Sequence, residues 1–124
     1  MPQRILIVDD SPAIRRALRK RFEWQAGWEV CGDAACGQDG IAKAEELRPD
    51  LIILDFSMRA MNGLEVAREL RRRLPAVPLV MFTNFENDHL RNAAESAGIS
   101  AVVCKSESFQ ALVSSMRELL EALS

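Results

Sequence analysis

The sequence has little of what a disulfide-bonded or metal-built fold requires. It carries three cysteines and one histidine in 124 residues. Cys31, Cys36 and Cys104 are odd in number, show no CxxC spacing, and leave His89 far along the chain from the first two. A structural zinc site uses four Cys or His ligands at characteristic spacings, and this set does not supply them. The cysteines read as small hydrophobes or inert thiols. Long apolar runs are also lacking: none approaches the roughly 20 residues of a membrane-spanning helix. The formal net charge of −2 leaves no basic excess for nucleic acid or an anionic membrane surface. The start, Met1-Pro2-Gln3-Arg4, passes directly into an apolar run with no signal-peptide layout, so a cytoplasmic protein is expected. There is no linker, internal repeat or low-complexity tract.

What is present is one domain's worth of ordinary globular sequence. At 48% hydrophobic and 27% charged residues, the chain matches the composition of soluble folded proteins. A chain of this length buries roughly two thirds of its unfolded surface. A single domain over 1–124 is expected.

The pattern along that domain alternates strand and helix. Ile5-Leu6-Ile7-Val8 is a short apolar run, as expected of a strand buried on both faces. Ser11-Pro12 then supplies a cap and a first-turn proline. Ile14, Leu18 and Phe22 follow at four-residue spacing, which predicts a helix to about Trp24. A second strand is predicted over 28–34 and a helix over 38–47, stopped by Pro49-Asp50. Leu51-Ile52-Ile53-Leu54 forms the third strand, a loop runs over 56–61, and Asn62-Gly63 opens a helix bearing Val66, Leu70 and Leu74. Leu79-Val80-Met81-Phe82 is the fourth strand, closed by Thr83. A short helix carrying Leu90, Ala93, Ala94 and Ala97 ends at Gly98. Ala101-Val102-Val103-Cys104 is the fifth strand, and Phe109, Leu112, Val113, Met116, Leu119, Leu120 and Leu123 mark the last helix. Parallel strands need helical crossovers, and right-handed crossovers place helices on both sheet faces. The expected fold is a doubly wound α/β sandwich around a five-stranded parallel sheet.

In such sheets, ligands bind beyond the carboxyl ends of the strands. The residues that follow those ends are Asp9 and Asp10, Asp55, Thr83 and Lys105. One polar residue at a strand end means little; three carboxylates, a hydroxyl and an amine from four strands form a site. Two carboxylates about 5 Å apart repel by roughly 3 kcal/mol at an effective dielectric near 20. Lys105 supplies one compensating charge, and a hard divalent cation can supply the rest. Mg²⁺ suits such a site because it takes one or two carboxylates, keeps several waters and shares a phosphate. Asp55 could then act as a nucleophile toward a phosphoryl group. Lys105 and the cation would offset charge on its oxygens, and Thr83 could donate to one of them.

With these residues the chain resembles the receiver domain of two-component response regulators. The resemblance covers essentially the whole sequence. Its carriers are residues 5–10 (ILIVDD), residues 49–55 (PDLIILD), Met58 through Asn62-Gly63, Thr83 and Lys105. The stretch Lys105-Ser106-Glu107-Ser108 is most similar to a subgroup often joined to a helix-turn-helix DNA-binding output domain. The resemblance implies the flavodoxin-like strand order 2-1-3-4-5. It also implies that Asp55 accepts phosphate from a histidine kinase or phosphotransfer protein. By the same resemblance Asp10 would bind Mg²⁺ directly, Asp9 often through water, and Ser57 through its backbone carbonyl. Thr83 and Lys105 would contact the phosphoryl group, while the side chains of Ser57 and Phe85 would tune phosphate lifetime. Such a protein is not a turnover enzyme: it catalyses only its own phosphorylation and dephosphorylation. Its partners would be the kinase and a separate output protein, with phosphorylation-dependent dimerisation open, and with no direct nucleic-acid or membrane contact by this chain.

Four positions depart from the family pattern. Arg59 replaces the usual proline after Met58. Asn84 replaces the small residue after Thr83. Val102 stands where an aromatic residue is usual, and Ser106 where proline is common. These departures keep a second reading open, a phosphorylation-independent interaction module. An aspartyl-phosphate phosphatase would share the nucleophile, but such enzymes carry Asp-x-Asp after the first strand, where this chain has Asp9-Asp10-Ser11. A flavin binder would want a phosphate-cradling loop there, and two aspartates repel phosphate. Elsewhere local readings suffice. The basic first helix (Arg15, Arg16, Arg19, Lys20, Arg21) reads as a solvated face that could also dock an acidic partner. Arg71-Arg72-Arg73 suits a helix C-terminus. His89 reads as a surface residue. One of Trp24 and Trp28 is expected to cover the core edge, and Phe85 is a candidate partner anchor.

Overall fold

The structure, a computed structural model, describes residues 2–84 and 87–122. Phe85 and Leu123, singled out above, lie outside the described residues. The elements follow in strict alternation: β1 (Gln3–Val8), α1 (Pro12–Glu23), β2 (Trp28–Ala34), α2 (Gly37–Leu47), β3 (Leu51–Leu54), α3 (Gly63–Arg73), β4 (Leu79–Thr83), α4 (Asp88–Ser96), β5 (Ala101–Cys104) and α5 (Phe109–Ala122). All strand pairs are parallel, and the order across the sheet is β2-β1-β3-β4-β5. The expected α/β architecture and the order implied by resemblance are both present.

The strands form because β1, β3 and β4 are apolar on both faces, and each face finds a helical layer. Leu6, Val8, Ile52, Leu54, Leu79 and Met81 pack with Ile41, Ala44, Val66, Leu70, Leu90 and Ala94 of α2, α3 and α4. Ile5, Ile7, Leu51, Ile53, Val80, Phe82 and Val103 pack on the other face with Leu18, Phe22, Leu112, Val113 and Met116 of α1 and α5. Alternate residues of one strand thus serve two cores, as strand geometry requires.

Local chemistry fixes the helix starts near the carboxyl ends of the strands. The Ser11 side chain accepts from the Ile14 N–H at the start of α1, and Pro12 occupies the first turn. Asn62 and Glu65 form a reciprocal capping box on α3. α1 stops at Glu23, one residue short of expectation, and α2 begins at Gly37, one residue early. Of the two tryptophans, Trp28 covers the core edge, meeting Phe22 edge-on at 5.9 Å between ring centroids, whereas Trp24 is 82% exposed.

Candidate functional site

Parallel pairing in register brings the ends of β1, β3, β4 and β5 to one rim. Val8 pairs with Leu54, so Asp9 and Asp55 leave adjacent strands side by side. Thr83 pairs with Cys104, which places Lys105 next to them, its N–H donating to the Thr83 carbonyl at 2.7 Å. The rim holds an open cavity of about 670 Å³ lined by Asp9, Asp10, Ser11, Ile14, Asp55, Ser57, Thr83, Asn84 and Lys105. Asp9, Asp10, Asp55, Ser57, Thr83 and Lys105, the residues expected at the site from sequence that fall among the described residues, therefore line one cavity.

Its charges are tightly coupled. Lys105 Nζ lies 3.1 Å from Asp9 Oδ2 and 3.5 Å from Asp55 Oδ1. The other oxygen of Asp9, Oδ1, accepts the Ser11 N–H at 2.9 Å. Asp9, Asp55 and Thr83 are buried, while Asp10 and Ser57 are exposed at the mouth. Burial, and next the Asp9 carboxylate, push the Asp55 carboxyl above the usual aspartate range; Lys105 and the Ser57 N–H pull it back in part.

Asp9, Asp10 and Asp55 each offer a carboxylate oxygen, and these three oxygens lie within 4.8 Å of one another. Oxygens opposite each other around Mg²⁺ are about 4.2 Å apart, twice the ordinary Mg–O distance. Adjacent oxygens are about 3 Å apart, so the three donors lie near the span of one hard cation's shell and would draw together on binding it. Acidic oxygens without His or Cys suit Mg²⁺ and not zinc. Among the described residues no other group of three metal-ligating side chains occurs.

A family model of the response regulator receiver domain matches residues 5–117. The chain belongs to the response regulator receiver domain family. It is 34% identical over 121 residues to the response regulator protein VraR of Staphylococcus epidermidis, covering 98% of this chain and 58% of that protein. The receiver thus spans a little under three fifths of the curated relatives it matches. Among solved structures, a LuxR-family two-component response regulator from Aurantimonas sp. superposes with a TM-score of 0.94 at 28% identity, covering 98% of this chain and 87% of that one. A LuxR-family DNA-binding response regulator from Staphylococcus aureus gives 0.89 at 26%, covering 95% and 98%.

The departures from the family pattern have structural places. Asn84 is exposed and lines the cavity beside Thr83. Val102 is half-buried on β5, opposite Met81, and packs against the core shared with α2, α3 and α4. Arg59 and Ser106 are exposed. His89 is exposed at the start of α4, and the three cysteines are free thiols, with Cys36 exposed and Cys104 buried.

Sequence reasoning missed three supports of the site. The N–H of Ser11 holds Asp9. Arg15 Nη1 donates to the Asp9 carbonyl at 2.7 Å. Gly63 lies against the backbone of Asp55 and Phe56, with its N–H donating to the Phe56 carbonyl at 2.8 Å. In sequence Arg15 stands one helical turn after Ser11, and nothing local sets it apart from the other basic residues of α1.

Proposed function

We propose that this receiver domain is a phosphoacceptor switch in which Asp55 takes a phosphoryl group from a histidine kinase or phosphotransfer protein, with Mg²⁺ in the acidic pocket. The observation that carries the reading is the bridge from Lys105 Nζ to both Asp9 and Asp55 beside three clustered carboxylates in an open cavity. Asp10 and Asp55 would hold the cation with the Ser57 carbonyl, and Asp9 would act close by or through water. Bound there, Mg²⁺ would neutralise charge on the phosphoryl oxygens.

An Asp55 carboxylate oxygen forms a bond to phosphorus as the bond from phosphorus to the donor's imidazole nitrogen breaks. The electron pair of that bond leaves with the imidazole, which takes up a proton. Lys105 can release its contact with Asp55 to meet a phosphoryl oxygen, and the Thr83 hydroxyl can donate to another. The acyl phosphate adds negative charge where the pocket already balances several, which biases the end of β4 at Thr83 and the loop that carries Lys105. A 100-fold shift between two states requires roughly 2.8 kcal/mol of differential stabilisation. The chain works as a cytoplasmic switch and not as a turnover enzyme. One solved relative is a LuxR-family DNA-binding response regulator, and the curated relatives run well beyond the receiver's length, which together support a DNA-binding output controlled by this receiver.

The test is incubation with Mg²⁺ and acetyl phosphate, or with beryllofluoride. A single phosphoryl adduct on Asp55 by mass spectrometry, absent in Asp55→Asn, is expected. No adduct and no beryllofluoride-dependent spectral change would sink the proposal.

Val102 and Asn84 favour one alternative, a receiver whose site is kept while partner binding ignores phosphate. β5 offers a half-buried aliphatic where the family pattern has a ring. Beryllofluoride-induced chemical-shift changes confined to the cavity would support that alternative. Changes spreading to α4 and β5 would remove it.

A further inference from the structure

Asp9 is held at every polar backbone and side-chain atom. Its N–H donates to the Ala34 carbonyl of β2 at 3.0 Å. Its Oδ1 accepts from Ser11 and its Oδ2 faces Lys105. Its carbonyl lies past the end of β1, and Arg15 Nη1 meets it at 2.7 Å. That carbonyl belongs to the peptide joining Asp9 to Asp10. Fixing it fixes the plane from which the exposed Asp10 side chain departs.

Arg15 is itself held. Its Nε lies 3.5 Å from Asp33 Oδ1, while Arg19 Nη2 takes Asp33 Oδ2 at 2.9 Å. The Lys43 ammonium donates to the Asp33 carbonyl. Arg15 and Asp33 are both only partly exposed, so the guanidinium is a fork braced from β2 and α1 and is not a freely solvated arginine. Asp33 carries one negative charge between the Arg15 and Arg19 guanidiniums, so the cluster keeps positive charge near the pocket, and a field effect of Arg15 can be told from a geometric one by its sign.

We propose that Arg15, braced by Asp33, is a positioning residue that aims the Asp9–Asp10 peptide so that Asp10 can meet a divalent cation. The inference rests on the cation-assisted reading of the pocket given above. It has a sign that separates it from a simple field effect. A positive charge near a cation site weakens cation binding, so on field grounds alone Arg15→Gln should tighten binding. Under the positioning role the same change weakens it, because the peptide is released. Supporting partners of metal ligands commonly contribute about 10–100-fold in affinity.

The experiment is a titration of the full chain with Mn²⁺, read by the electron paramagnetic resonance of free ion, with Mg²⁺ as competitor. Arg15→Gln should raise the Mn²⁺ dissociation constant about tenfold. Arg15→Lys, which keeps the charge and loses the fork, should fall between wild type and Arg15→Gln. Asp33→Asn should also weaken binding, and Arg15→Gln with Asp33→Asn should be no weaker than Arg15→Gln alone, because both remove one device. Should Arg15→Gln fail to fold, Arg15→Lys carries the comparison, since it keeps the charge, so that the field alone predicts unchanged binding, and loses the fork. A lowered urea midpoint with an unchanged dissociation constant marks a merely structural arginine and overturns the proposal. So does tighter binding by Arg15→Gln, or a return to wild-type affinity in the double variant. Wild-type protein that binds neither ion overturns the cation reading itself, a result distinct from variants that bind as wild type does.

Discussion

Gly63 lies so close to Asp55 that a Cβ placed on it would stand 2.5 Å from the Asp55 carbonyl oxygen and 2.9 Å from the Phe56 Cα. The first residue of α3 therefore sets where the loop after β3 can run. Both obstacles are backbone and cannot rotate away. Gly63→Ala should destabilise the fold by about 1–3 kcal/mol, the usual cost of overpacking. It should also weaken beryllofluoride binding by displacing Asp55. Urea unfolding and a beryllofluoride titration check the two effects. Unchanged values in both would show that the loop yields freely.

Asp55 gives a pH-dependent prediction. Its carboxyl is held above the ordinary value of 3.8, first by burial and next by Asp9. The folded state therefore binds this proton more tightly than the unfolded state, and ionising Asp55 costs stability. That cost is fully present above the raised folded-state value. It is relieved as pH falls through that value toward 3.8. Without divalent cations, Asp55→Asn should accordingly be more stable than wild type at neutral pH, with the difference closing across this acidic window. Denaturant midpoints against pH, in chelator, provide the measurement. A constant difference at all pH values would refute the assignment.

Lys105 predicts a trade between an ammonium and a metal ion. Lys105→Met leaves Asp9 and Asp55 facing each other without a cation. In chelator the variant should lose about 2 kcal/mol, less than the roughly 3–5 kcal/mol of a fully buried broken pair because the cavity is open to water. Millimolar Mg²⁺ should recover most of that loss by binding the folded state. Thermal unfolding with and without Mg²⁺ decides the point. Failure of Mg²⁺ to recover any stability would count against the acidic pocket as a cation site.

Ala60 predicts a gain. It sits in the loop between Asp55 and α3 with φ of 67°, in the left-handed region that costs an L-residue roughly 1–2 kcal/mol. Glycine removes that cost but adds freedom to the unfolded chain. The net expectation for Ala60→Gly is about 0.5–1 kcal/mol of stabilisation, with acetyl phosphate reactivity retained. Urea midpoints and the mass-spectrometric adduct measure both.

The alternation of elements was legible because β1, β3 and β4 are short runs apolar on both faces, and each helix has an apolar face at its own period. The acidic pair, Asp55, Thr83 and Lys105 were legible because each follows directly on a strand, and parallel strands send those positions to one rim. Arg15 and Gly63 were not legible as parts of the site. An arginine on a basic helix looks solvated until β2 presents Asp33 to it. A glycine after asparagine looks like a helix start until the loop returns against it. The two tryptophans were equally ambiguous, since four residues along the chain separate a ring on Phe22 from one in water.

The sequence by itself determined the α/β class and the set of chemical groups at the strand ends, because period and adjacency are local properties of a chain. Only the tertiary structure decided that Lys105 reaches both Asp9 and Asp55, that Asp33 braces Arg15 against the Asp9 carbonyl, and that Gly63 crowds Asp55. Those relations join residues brought together by sheet register and packing, and short-range pattern carries no information about either.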